Sequence, residues 1–138
     1  ISSFGISTQT DDGLMVPVIK HAESRDVWET ANELMRVTSS AREKTATIDE
    51  LTGSTITITS LGVMGGLGAT PIINHPEVSI VSIHAARDRA VVRDGNVIIR
   101  KMMNVTSSFD HRIVDGYDGA LLIQELKSML EYPAKIFM

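Results

Sequence analysis

Between residues 102 and 131 the chain changes its hydrophobic period from two to 3.6 across a polar corner, and this switch constrains the fold more than any other stretch. Residues 102–108 read as a strand, and residues 116–131 carry Leu122, Ile123, Leu126, Met129 and Leu130 on one side of a helix that Pro133 stops. Between them stand Phe109, Asp110, His111, Arg112 and Asp115. A histidine at a strand-to-helix corner can sit at a sheet edge with its ring toward a cleft. Asp115 follows four residues later, so one helical turn brings its carboxylate alongside the imidazole. A carboxylate there fixes the ring tautomer and stabilises the imidazolium, as a general base requires. The same Asp115 is well placed as N-cap of the following helix, and the spacing alone favours that structural role.

Upstream, residues 4–10 and 14–19 read as two strands joined by the turn Asp11, Asp12, Gly13, with Pro17 confining the second to an edge or a bulge. Ser24 is the expected cap of a helix running to about Lys44, with Val27, Trp28, Ala31, Leu34, Met35 and Thr38 as its buried stripe. That spacing makes Trp28 a core residue rather than a platform for a cofactor. Thr47 and Glu50 fit a capping box on a short helix that Gly53 ends.

Residues 54–60 then alternate Thr with Ile. Ile56 and Ile58 share one face of this strand, and Thr55, Thr57 and Thr59 share the other. A face made of hydroxyls implies solvent or a polar channel. Residues 61–70 are glycine-rich, but they lack both the Gly-x-Gly-x-x-Gly order and a Lys-Ser/Thr ending, and Pro71 follows. They read as a turned or mobile loop, not a nucleotide cradle. Residues 78–83 form another strand, and residues 91–93 and 97–99 flank Asp94, Gly95 and Asn96 as a hairpin.

With 138 residues, 43% of them hydrophobic and 22% charged, the chain suits a single globular domain large enough for its own core. It has no cysteine, so disulfides, thiolate metal sites and a cysteine nucleophile are excluded. The formal net charge of −4 is mixed along the chain, which argues against a nucleic-acid surface. No apolar run approaches membrane-spanning length. His21 and His75 lie in turn-like contexts, and no histidine pair has metal-ligand spacing with a carboxylate, so no metal site is expected.

The string Ser108, Phe109, Asp110, His111, Arg112, Asp115, Gly116 resembles the signature of the acyltransferase core of 2-oxo-acid dehydrogenase complexes, the dihydrolipoamide acyltransferases. Residues 13–20, 51–62 and 70–78 resemble the same family in the same order. The resemblance implies an α/β (α+β two-layer) fold like that of chloramphenicol acetyltransferase, a mixed sheet with flanking helices. Residues 1–138 would be the C-terminal part of the catalytic domain, with the N-terminal part of the core missing; Ile1 already stands inside a plausible strand.

The implied activity is transfer of an acyl group between a dihydrolipoyl thioester and coenzyme A, the dihydrolipoyl group being carried on a separate lipoyl domain. His111 would deprotonate the attacking thiol, Asp115 would orient His111, and Thr59 would stabilise the oxyanion, with Ser60 as runner-up. Ser60 and Leu61 would contact coenzyme A. The implied assembly is a homotrimer, with each site shared between subunits, built into a larger core together with lipoyl domains and other subunits of the complex. The apolar end, Ile136 to Met138, would help to join trimers or pack on its own subunit. The setting would be bacterial cytoplasm or mitochondrial matrix.

Residues 54–61 and 101–104 look most like branched-chain relatives. The sequence departs from the family pattern at Ser82 and His84, where relatives often carry glycine or a small residue, and at Thr59, where many carry serine. His84 is expected to have a structural or solvent role rather than a catalytic one. Two alternatives remain: a non-catalytic assembly fragment of the same core, and a chloramphenicol acetyltransferase-like enzyme, which Asp110 and residues 71–78 fit less well.

Overall fold

The computed structural model describes residues 2–137; Ile1 and Met138 lie outside them. Along the chain come β1 (Phe4–Ile6), β2 (Thr8–Thr10), β3 (Gly13–Met15), β4 (Val18–Ile19), α1 (Val27–Arg42), β5 (Ile56–Ser60), β6 (Ser79–Ile83), β7 (Arg87–Arg93), β8 (Asn96–Met102), β9 (Val105–Phe109) and α2 (Gly116–Glu131). Five strands form one mixed sheet in the order β4-β1-β5-β6-β9. β1, β5 and β6 run parallel, while β4 and β9 run antiparallel to their neighbours. The mixed sheet with flanking helices is the α+β arrangement expected.

The two N-terminal strands do not run unbroken; each is cut into two. Pro17 has no N–H to donate, and its carbonyl instead accepts from Ile6 N at 2.8 Å. Beyond it, β4 is an edge strand, the place where proline is tolerated. β2 and β3 peel off as a hairpin whose turn needs Gly13 at φ +109°. In the second hairpin, Asp94 (φ 51°) and Gly95 (φ 77°) make a two-residue turn, so Asn96 joins β8 and pairs with Arg93.

The cap of α1 is Asp26, not Ser24. Asp26 Oδ1 accepts from Glu29 N at 2.7 Å, and Glu29 Oε2 accepts from Asp26 N at 3.1 Å, a reciprocal capping box. Ser24 instead lies in a 3₁₀ turn and donates to the His21 carbonyl. The second expected box forms as read: Glu50 N donates to Thr47 Oγ1, and Thr47 N to Glu50 Oε2.

The expected stripe of α1 is displaced. Val37, Thr38 and Ala41 are the buried residues, whereas Trp28 is 80% exposed and Met35 67%. α1 packs against β2 and β4, and its buried residues all lie in its C-terminal half, so its first turns stay exposed. Trp28 is therefore not a core residue of this chain. On α2, Gly119 is buried, and Ile123, Leu126 and Met129 are half-buried. Leu122 and Leu130 are about half exposed, so only part of that expected stripe packs. α2 ends at Glu131, and residues Pro133–Phe137 continue as a 3₁₀ turn with Ile136 and Phe137 exposed.

Candidate active site

β9 delivers the histidine corner. Asp110 N donates to the Val78 carbonyl at 2.8 Å, extending the β6–β9 ladder by one step before the chain turns. Ile113 N and Val114 N then both donate to the Asp110 carbonyl at 2.9 Å, which tightens the corner. The Asp110 carboxylate accepts from Arg112 Nε (2.9 Å) and Nη2 (2.5 Å), a fork-shaped ion pair within the turn. Arg112 holds the Asp110 carboxyl down at about 2. Both residues are thus occupied in shaping the corner. His111 is left exposed at its tip.

Asp115 caps α2. Its Oδ1 accepts from Tyr117 N at 2.9 Å and Asp118 N at 3.0 Å. Among the described residues no hydrogen bond joins Asp115 to His111. The structural role is therefore present in this chain, and the carboxylate–imidazole pairing is not formed.

On β5 the alternation holds. Thr55 Oγ1 donates to the Ser3 carbonyl at 2.9 Å. Thr57 is 1% exposed and donates to Glu77 Oε1 at 2.9 Å. Thr59 is half-buried and its hydroxyl has no partner among the described residues. Ser60, on the opposite face by alternation, accepts from Gly62 N at 3.0 Å and closes the turn into the glycine-rich loop. Leu61 is 68% exposed just beyond it. Both candidate oxyanion donors keep an undonated O–H among the described residues, and only the Thr59 hydroxyl is also free of an incoming bond.

Glu77 was not singled out by its position in the sequence. It is 7% exposed, and Ser54 Oγ, Thr57 Oγ1 and Asn74 Nδ2 all donate to its Oε1, while Oε2 is buried without a partner among the described residues. A glutamate two residues before a strand carries no periodic signal. The face of threonines opposite it was the only hint.

Strand register fixes how far apart the two key groups lie. Thr59 pairs with Ser82, and Ser82 with Thr106, whereas Phe109 pairs with Ser79. Thr59 and the end of β9 are thus three residues apart along the strands and two strands apart across them, roughly 14 Å at about 3.3 Å per residue and ~4.8 Å per strand. His111 and Thr59 stand at opposite ends of one sheet and do not meet within this chain. Among the described residues no group of three His, Asp or Glu side chains could hold a metal ion, and no helix is long and apolar enough to cross a membrane.

A mixed sheet thus hands an exposed histidine to a helix N-terminus, and the strand bearing Thr59 lies two strands away in the same sheet. Residues 2–138 match the family of 2-oxoacid dehydrogenases acyltransferase (catalytic domain). The chain belongs to that family.

It is 55% identical over 134 residues to the lipoamide acyltransferase component of the branched-chain alpha-keto acid dehydrogenase complex of Pseudomonas aeruginosa, covering 97% of this chain and 31% of that protein. It is 37% identical over 136 residues to the dihydrolipoyllysine-residue acetyltransferase component of the pyruvate dehydrogenase complex of Staphylococcus aureus, covering 99% and 32%. Among solved structures, the dihydrolipoamide acetyltransferase of Azotobacter vinelandii superposes with a TM-score of 0.94 at 34% identity, covering 99% of this chain and 56% of that one. The cubic core of the pyruvate dehydrogenase multienzyme complex superposes equally well, with a TM-score of 0.94 at 33% identity and the same coverage. The chain thus spans about a third of the length of these curated relatives.

Proposed function

We propose that this chain carries the acyl-transfer site of a 2-oxo-acid dehydrogenase complex, moving an acyl group between a dihydrolipoyl thioester and coenzyme A. The observation that supports this most directly is that two reactive side chains, Thr59 and His111, have no hydrogen-bond partner among the described residues and stand at opposite ends of one sheet. That arrangement suits a site closed by a neighbouring subunit, with His111 of one chain facing Thr59 of the next. His111 takes the proton from the attacking thiol, and the thiolate adds to the thioester carbonyl. The Thr59 hydroxyl donates to the oxyanion that forms. Collapse expels the other sulfur, which takes the proton back from His111. A positioned base contributes about 10²–10⁴ in rate, and one oxyanion donor about 10²–10³. Leu61 and Ser60, at the exit of β5, are the proposed contacts for coenzyme A.

Asp115 enters this scheme as the holder of the corner through its cap, and its second oxygen is the proposed partner of the imidazole once the neighbouring subunit closes the site. Exposed apolar side chains on several elements, Trp28, Val97, Leu121 and Phe137 among them, support assembly into a trimer and a larger core. The higher identity to branched-chain relatives, 55% against 37%, supports a branched acyl group.

The test is acyl transfer between dihydrolipoamide and branched or acetyl coenzyme A thioesters by the intact protein. His111→Ala and Thr59→Val each abolish most turnover in this reading. Co-assembly of the two variants restores part of it, because some interfaces then pair an intact His111 with an intact Thr59. Full activity in both variants would leave only the scaffold reading, an assembly fragment without chemistry. Variants that are inactive alone and gain nothing on mixing would sink the shared site.

A further inference from the structure

His84 lies two residues past Ser82, and its role is set by what it holds. Its backbone N donates to the Asn104 carbonyl at 3.2 Å, continuing the β6–β9 ladder beyond the pair Ile83–Val105. Residues two apart on a strand share a face, and so do register partners. His84, Ser82, Thr106 and Thr59 therefore lie on one face, the one opposite Phe109 and α2. On that face His84 is 7% exposed, and its Nε2 lies 2.9 Å from Thr106 Oγ1. Thr106 is the last member of the row Thr59–Ser82–Thr106 that crosses three strands.

The same spot anchors the loop that leaves Thr59. Asn104 Nδ2 donates to the Leu67 carbonyl at 2.5 Å. A methyl at Gly68 would stand 3.7 Å from Thr106 Cγ2, and one at Gly65 3.6 Å from Ala85 N. Beside the ring is a cavity of about 350 Å³, lined by Gly62, Val63, His84, Ala85, Ala86 and Arg87. The chain from Thr59 to Gly68 is thus held at its strand end by Ser82 and at its far end by Asn104 and Thr106. His84 is bonded to the second of these anchors, to Thr106 Oγ1 through its ring and to the Asn104 carbonyl through its backbone N.

We infer that His84, through Thr106, is a positioning residue for acyl transfer: it holds the part of β9 that pairs with β6 beside Thr59 and seats the far end, residues 65–68, of the loop that leaves Thr59. The inference rests on the proposed role of Thr59. A buried histidine packed for stability alone has no reason to favour one step of turnover. A positioning residue does, because an oxyanion donor shifted by a fraction of an ångström loses the transition state before it loses substrate.

The experiment measures kcat and KM for coenzyme A in the intact protein carrying His84→Leu, His84→Gln, Thr106→Val, or His84→Leu with Thr106→Val, beside Thr59→Val. In His84→Leu and Thr106→Val, kcat falls about tenfold or more while KM stays within about twofold. The double variant is no worse than either single one, since both delete one bond. His84→Gln, whose amide reaches the same hydroxyl, recovers most of the loss. Two results overturn the inference while leaving the proposed function intact: unchanged kcat in His84→Leu with Thr59→Val impaired, or a loss in His84→Leu that vanishes at a temperature where the variant is fully folded. If Thr59→Val and His111→Ala are themselves fully active, the proposed function fails first and the His84 inference with it.

Discussion

Phe109, the last residue of β9, presses its ring on the backbone of Gly119 in α2. A methyl added at Gly119 would stand 2.8 Å from Phe109 Cε2 and 3.0 Å from Cδ2. Here the helix that leaves the histidine corner is pinned to the strand that enters it, so the contact sets the angle at which His111 is presented.

Gly119→Ala tests that hinge. Helix propensity alone favours alanine by about 1 kcal/mol, whereas forcing a methyl into a packed contact costs about 1–3 kcal/mol. The steric cost is expected to win, giving a lower urea midpoint and reduced acyl transfer. Phe109→Leu in the same chain makes room, so the two substitutions together cost less than their sum. A Gly119→Ala variant more stable than the parent would show that α2 has slack at this point.

Asp115 has one job visible in this chain and one proposed for the assembly, and two substitutions separate them. Asp115→Ala removes the cap and is expected to cost about 1 kcal/mol of stability. Asp115→Ser keeps a capping oxygen for Tyr117 N and Asp118 N but loses the carboxylate. If that carboxylate orients His111 in the assembled site, Asp115→Ser melts like the parent and turns over more slowly by roughly tenfold or more. Equal stability with equal activity would reduce Asp115 to a cap.

The corner, the Thr–Ile strand and the second hairpin were legible because each is coded locally, by period, by turn residues or by a motif. α1 was legible as a helix, but its buried face was not. Its apolar residues are spread over both the sheet side and the outer side, and only docking against β2 and β4 selects Val37, Thr38 and Ala41. Asp26 displaced Ser24 as cap because the capping box needs its partner three residues on, and Glu29 stands in that place. The site was legible residue by residue, as positions and not as a constellation. Nothing local in Thr59 or His111 tells that they lie at opposite ends of one sheet; that follows from β6 running parallel to β5 and antiparallel to β9. Glu77 and the His84–Thr106 bond are long-range contacts of the same kind.

The ion pair at the corner makes a prediction about acid. Arg112 lowers the Asp110 carboxyl from 3.8 to about 2. A depressed folded value means the stabilisation is complete above the unfolded value and disappears as pH falls through the folded one. The stability gap between the parent and Asp110→Asn should therefore be constant above about pH 5, narrow below pH 4 and close near pH 2. Melting temperatures of both proteins across that range check it, and a gap independent of pH would mean the pair adds nothing to the fold.

Glu77 gives the sharpest stability test, because its two oxygens are treated so differently. Oε1 accepts from Ser54, Thr57 and Asn74, which ties β5 to the segment leading into β6. Oε2 is buried with no partner among the described residues. Glu77→Leu removes the common acceptor and strands three donors, of which the Thr57 hydroxyl is sealed from water; each stranded buried group costs about 1–3 kcal/mol, and the whole change is expected to cost about 3 kcal/mol. Glu77→Gln keeps an acceptor at the place of Oε1. It exchanges one unpartnered polar atom for another and removes a buried charge, so its expected cost is below about 1 kcal/mol. Denaturant unfolding of the two variants measures the difference directly. If Gln proves as costly as Leu, the negative charge itself, and not the shared acceptor, holds β5 to this segment.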